Sequence, residues 1–218
     1  MLRGIRYSIF IAVLLFFCSS WGFHAHRAIN RNAVYTLPSD LAPFFILNID
    51  ALEARSVHAD KRRYTDTTEA CKHYIDLDLY GVSPFDSVPK HWFDAKNKFS
   101  EDTLKNRGIL PWVINWEYRK LIWAMDSGTA DDVVRSAADL GHYVADACVP
   151  LHTTYNYNGQ YTNQKGVHAL WESRIPESFS HNYDYYVGKS VYLENPLEFT
   201  WKLIEESFVL VDSTLAIE

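Results

Sequence analysis

At 218 residues, 48% hydrophobic and 22% charged, the chain can bury a sizeable core in one domain and is not disordered. Its formal net charge of −6 comes without a basic stripe, which argues against a duplex-binding groove; metal ions could still supply the positive field a single-stranded polyanion needs. Three cysteines, none in C-x-x-C spacing, exclude a disulfide framework and the usual cysteine-held metal sites.

Residues 1–20 read as a signal peptide. Arg3 and Arg6 precede the apolar run IFIAVLLFFC, and Ser19 and Ser20 are small. The run is short for a membrane span, so no span is expected in the mature chain. Cleavage after Ser20 implies a secreted or periplasmic protein starting at Trp21, with 19 basic against 27 acidic residues. Bulky Phe17 argues against a lipid anchor on Cys18. Cys71 and Cys148 read as two small buried side chains, with one bridge between them left open.

The remaining chain, 21–218, reads as one compact, all-α multi-helix bundle. Helices are predicted over 24–36 and 40–55, separated by Leu37-Pro38-Ser39. Helix-like spacing continues over 67–76, and GVSPFDSVPK (81–90) is a turn-rich loop. Helices follow over 91–107 and 111–126, with Pro111 suited to a first turn. Thr129 or Asp131 can cap a helix reaching Ala147. NYNGQYTNQKG (156–166) is a polar surface loop. A short helix is predicted at 167–174 and a long amphipathic one at 196–216. The last helix meets the chain end without a terminating glycine or polar tail, as expected of a native end or of a C-terminally truncated domain. Trp112, Trp116 and Trp123 share helical spacing and read as core.

His142 and Asp146 lie four apart and share a helix face. Pro150 then ends the helix and delivers His152 from the following turn. His168 and Glu172 repeat the four-residue spacing. One such pair is usually an ion pair or a buried hydrogen bond. Two pairs plus a histidine after a proline turn, within 31 residues, point to zinc, for which imidazole and carboxylate are both good ligands. The pattern is not H-E-x-x-H, so the ordinary zinc-protease reading fails. WGFHAH (21–26) offers Trp21, whose freed amine and carbonyl can chelate, and His26. VHADKRRY (57–64) and CKHYIDLD (71–78) add Asp60 and His73.

In this order, these pieces resemble the three-zinc phosphodiesterases: zinc-dependent phospholipase C and the single-strand-specific nucleases. The resemblance covers nearly the whole mature chain and implies three zinc ions at the bottom of a cleft. It implies that Asp146 bridges a close pair. One metal of that pair also takes Asp60, His73 and His142, and its partner takes the Trp21 amine and carbonyl plus His26. The third takes His152, His168 and Glu172. Asp60 and Asp146 are the implied catalytic carboxylates, with a zinc-held hydroxide attacking a phosphodiester in line.

The substrate this resemblance implies is a phospholipid or a single-stranded nucleic acid. Glu172 in GVHALWE favours the phospholipase C branch, taken as the leading expectation. H-Y-I-D at 73–76 and Arg63 favour the nuclease branch, the alternative. Lys61 after Asp60 departs from the aromatic that helps hold choline in phospholipases. Arg63 is a candidate phosphate contact, Tyr74 a stacking surface and Asp76 a base-edge partner, against a solvated cation run, core packing and a helix-end salt bridge. Tyr155, Tyr157 and Asn158 are placed at the cleft mouth. His24 is expected exposed or beside the metals without ligating them, and no pattern marks His58, His91 or His181. A secreted metal-binding protein without activity is a third reading. No protein partner is implied, and a monomer is expected.

Overall fold

Backbone hydrogen bonding is local almost throughout the computed structural model, which describes residues 22–216, and no strand forms among them. The all-α expectation therefore holds. The expected signal peptide (1–20) and Trp21 lie outside the described residues.

The first helix, α1 (Phe23–Val34), is followed by α2 (Ala42–Leu47), α3 (Ile49–Arg55) and α4 (His58–Arg62). The helix predicted over 40–55 is thus two. Asn48 breaks it, with φ −112° and ψ 13° and its side-chain amide donating to the Phe44 carbonyl. Such a local side-chain bond competes with helix continuation.

The helix predicted over 67–76 does not form. Only a 3₁₀ turn at Ala70–Lys72 remains, and a second follows at Leu77–Tyr80. The reason is tertiary. Ile75 N–H donates to the His152 carbonyl and Leu77 N–H to the Thr153 carbonyl, at 2.9 and 3.0 Å. That pairing pulls 73–77 out of helical geometry and lays it against the turn Pro150–His152, bringing His73 to His152.

Within the turn-rich loop, α5 (Pro84–Ser87) is a single helical turn. The stretch predicted as one helix over 91–107 is α6 (Trp92–Phe99) and α7 (Glu101–Asn106). Ser100 separates them at φ +66°, and its hydroxyl accepts from Thr103 N–H to cap α7.

The two long helices organise the rest. α8 (Leu110–Ser127) and α9 (Ala130–Ala147) share the largest helix–helix contact. Thr129 is the cap of α9 rather than Asp131, in a reciprocal capping box with Asp132. A run of turns from Val167 to Phe179 follows: α10 (Val167–Ala169), a π-turn at Leu170–Arg174, and α11 (Ile175–Phe179). The predicted final helix is α12 (Pro196–Phe208) and α13 (Val211–Ala216).

One core gathers Ile75, Leu77, Leu104, Trp112, Tyr143, Ala147, Trp201 and Ile204. A second gathers Val34, Phe45, Leu52, Ala124, Val133 and Ala138. Gly141 lets α1 approach α9: a Cβ there would lie 2.3 Å from Asn30 Oδ1. Glycine inside a helix costs about 1 kcal/mol, and here the close approach stacks His26 on His142 with ring centroids 3.9 Å apart.

Trp112 is core, as predicted, against Trp201. Trp116 and Trp123 are not: they are 39% and 61% exposed. Trp201 of α12 packs edge-on against Trp112 with ring centroids 5.5 Å apart, and Trp123 lies three turns further along α8. Among the described residues Cys71 and Cys148 are both free, and Cys148 is exposed rather than buried.

Candidate metal centre

The residues of the expected site arrive from several different local devices. α1 carries His26, α4 carries Asp60, and the displaced strand-like stretch after Ala70–Lys72 carries His73. One stripe of α9 runs Ala138, His142, Asp146 at four-residue intervals. The turn after Pro150 presents His152. The π-turn holds Glu172, four residues after His168 on α10; single π-turns are frequent at functional sites.

The structure brings eight of the nine expected ligands together; Trp21, the ninth, lies outside the described residues. Three groups converge: Asp60, His73 and His142; His26, His142 and Asp146; and His152, His168 and Glu172. Asp146 is 1% exposed and turns its two oxygens to different partners. Its Oδ2 lies 2.9 Å from His73 Nδ1 and 3.3 Å from His142 Nε2. Its Oδ1 lies 3.4 Å from His26 Nε2 and 3.6 Å from His152 Nδ1. Asp60 Oδ1 stands 3.8 Å from His73 Nδ1 and 3.9 Å from His142 Nε2. In the third group, His168 Nε2 is 2.8 Å and His152 Nε2 is 3.8 Å from the Glu172 carboxylate.

These residues fit a metal on two counts. Ligands at zinc distances of about 2.0–2.2 Å in a tetrahedron stand roughly 3.3 Å from one another, and the separations above bracket that spacing. Two of the histidines are also locked from behind. His142 Nδ1 donates to the Ser56 carbonyl at 2.7 Å, and His152 Nδ1 to the His73 carbonyl at 2.8 Å. Each lock puts the proton on Nδ1 and leaves Nε2 toward the carboxylates, as metal-ligating histidines require.

Without a metal, protons hold these charges apart. Burial would lower the pKa of His73, but the Asp146 and Glu69 carboxylates outweigh it and hold it up at about 9. Burial would raise Asp146 and Glu172, yet the surrounding imidazoles keep both well below the usual carboxylate range. Burial dominates at His152 and lowers it.

The signs define a window. His73, raised above its ordinary 6.5, stabilises the metal-free fold fully below that pH and loses this contribution as pH climbs through about 9. Asp146, depressed below 3.8, contributes above that pH and is lost as pH falls through its folded value. Thermal melts in chelator should therefore show high stability between roughly pH 4 and 6.5 and a decline toward pH 9; a melting temperature that rises over pH 7–9 would contradict the assignment.

The remaining expected residues divide. Asp60, His73, His152, His168 and Glu172 line one cleft of about 650 Å³, and Arg63, Tyr74, Asp76, Tyr155, Tyr157 and Asn158 line the same cleft. Tyr74 is half-buried rather than packed away. Among the described residues, Asp76 makes no ion pair of the kind a helix end offers. It is 5% exposed, its carboxyl has no hydrogen bond from the described residues, and burial and nearby Asp78 raise its pKa to about 7. His24 is exposed and bonds Ser180 Oγ at 2.9 Å.

The run Lys61-Arg62-Arg63 splits three ways: Lys61 sits over the Phe23 ring, Arg62 turns inward, and Arg63 lies 3.5 Å from Asp60 Oδ1. Sequence reasoning missed Gly22, Glu69, Arg62, Asp139, Tyr143 and Ser173. Glu69–His73 and Asp139–Tyr143 do carry four-residue spacings, the one signal that could have marked them. No family model, curated protein or solved structure matches this chain, so the functional reading rests on the site's own geometry.

Proposed function

We propose that the chain is a metal-dependent hydrolase of phosphodiesters, with zinc the metal its donors suit best. The observation that carries this reading is Asp146, whose two oxygens face separate imidazole sets while a third His/His/Glu group stands on the same cleft. A lone binding site needs no carboxylate shared between donor sets. When bound, zinc lowers the pKa of coordinated water to about 7 and neutralises phosphoryl charge.

The chain's own groups fill the other roles. His26, Asp60, His73, His142 and Asp146 would hold a metal pair, and His152, His168 and Glu172 a third ion. Asp60, at the cleft rim with a 14% exposed side chain, orients the attacking water. Arg63 beside it binds a phosphate oxygen. No described helix is long and apolar enough to cross a membrane.

Between substrates, the cleft lining favours a nucleotide. Tyr74 supplies a ring for stacking, worth about 1–3 kcal/mol per base. Asp76, poised near neutrality, offers a base edge both a donor and an acceptor. One observation favours the phospholipid reading expected first from the sequence: Glu172, the carboxylate of the third group.

The test sets zinc-loaded protein against single-stranded DNA and phosphatidylcholine vesicles in parallel. DNA cleavage is expected, with Tyr74→Ala weakening binding about tenfold. Phosphocholine release without DNA cleavage would move the assignment to the phospholipase C type, and hydrolysis of neither, with no other phosphodiester cut, would overturn it.

A further inference from the structure

Behind the candidate metal ligands lies a second set of charges that the hydrolytic reading leaves unused. Glu69 is completely buried. An isolated carboxylate there would cost several kcal/mol, and three donors offset that cost. Arg62 Nη2 reaches Glu69 Oε1 at 3.1 Å, Lys72 Nζ reaches Oε2 at 2.6 Å, and the Tyr143 hydroxyl donates to Oε1. Arg62 is itself held by Asp139 at 3.1 Å.

These groups come from three places: α4, the turn Ala70–Lys72 and α9. Asp139 and Tyr143 form the stripe of α9 next to the one bearing His142 and Asp146. Neighbouring faces of one helix thus carry expected ligands and the clamp on Glu69.

Glu69 Oε1 faces His73 Nε2 at 3.7 Å. That nitrogen is buried and has no hydrogen-bond partner. The opposite nitrogen, Nδ1, points at Asp146, His142 and Asp60. His142 and His152 are locked by backbone carbonyls. At His73 the acceptor behind the ring is a carboxylate, a stronger base.

We propose that Glu69, clamped by Arg62, Lys72 and Tyr143, is the positioning residue for His73: it keeps the imidazole proton on Nε2 and presents Nδ1 to a metal. The assignment rests on the metal-dependent reading above. A purely structural ion pair would stabilise the fold equally well with the ring turned either way. A positioning role ties Glu69 to the affinity of one metal and to one tautomer.

The test compares wild type with Glu69→Gln, near-isosteric but uncharged. Two quantities are read: zinc affinity by chelator competition, and the ¹⁵N signature of the His73 imidazole in zinc-loaded protein. Outer supports of this type are worth about 10–100-fold in metal affinity. Glu69→Gln is expected to weaken one bound zinc by that factor, spare the others, and mix the His73 tautomers. Because the variant leaves Arg62 short of a buried partner, and Arg62 in turn pairs with Asp139, the triple variant Arg62→Met/Glu69→Gln/Asp139→Asn removes the paired charges together. It should fold and show the same zinc loss. A folded variant with wild-type zinc affinities and the proton still on Nε2 would overturn the proposal alone. A wild type that takes up no zinc would overturn both the metal-dependent reading and this one.

Discussion

Asp146→Asn should strip the protein of about two zinc equivalents and abolish hydrolysis. The carboxylate is fully buried, and it divides its oxygens between His73 and His142 on one side and His26 and His152 on the other. Asparagine keeps the shape but offers one oxygen and one amide nitrogen that cannot ligate. Either way the amide lies, one donor set loses its anion, and both lose its charge. Groups that only support a ligand are worth about 10–100-fold in metal affinity; loss of the shared ligand should exceed that. Glu172→Gln is the matched control. Glu172 meets His152, His168 and, at 3.6 Å, His26, so its loss should release about one equivalent. Zinc content by mass spectrometry checks both, and equal, mild losses would remove Asp146 from its central place. The metal-free melts add a second readout. Without Asp146, the main carboxylate holding a proton on His73 is gone, and the stability decline toward pH 9 should flatten.

Gly22→Ala is the second large effect expected. Gly22 has φ +66°, and its N–H donates to Ser173 Oγ at 2.7 Å. A Cβ there would lie 2.7 Å from Glu172 Oε1. The left-handed backbone alone costs an alanine about 1–2 kcal/mol, or a few degrees in melting temperature for a chain of this size. The collision matters more, because either Glu172 leaves the third group or the chain entering α1 lifts away from it. Zinc content should fall by about one equivalent and activity at least tenfold. Gly188→Ala separates the causes: φ is +81° and nothing lies within 4 Å of its Cβ. It should lose stability but keep its zinc. Identical zinc content in both variants would show that Gly22 does not seat Glu172.

Much of the site was legible because its residues sit at intervals that helices and turns impose. His142–Asp146 and His168–Glu172 each span one turn, and Pro150 announces the turn that presents His152. Spacing alone did not reveal that 73–77 abandons helical geometry, since that depends on backbone bonds to residues 152 and 153, far along the chain. Nor did it separate Arg62 from Arg63. Adjacent cations look alike in sequence, and only Asp139 and Glu69, brought in from elsewhere, turn one inward. The tryptophans of α8 show the converse limit. Their spacing puts them on one side of the helix, but burial depends on what packs there, and only Trp112 meets Trp201.

The central claim is that these side chains assemble a three-metal centre. The direct measurement is zinc stoichiometry and melting temperature of protein produced to begin at residue 21, after chelation and after dialysis against zinc. About three tightly held ions are predicted, with a melting temperature that falls in chelator and recovers with zinc, as binding to the native state alone requires. One ion or none, with melting indifferent to chelator, would mean that the buried histidines and carboxylates are hydrogen-bonded core groups and that the hydrolase assignment is wrong.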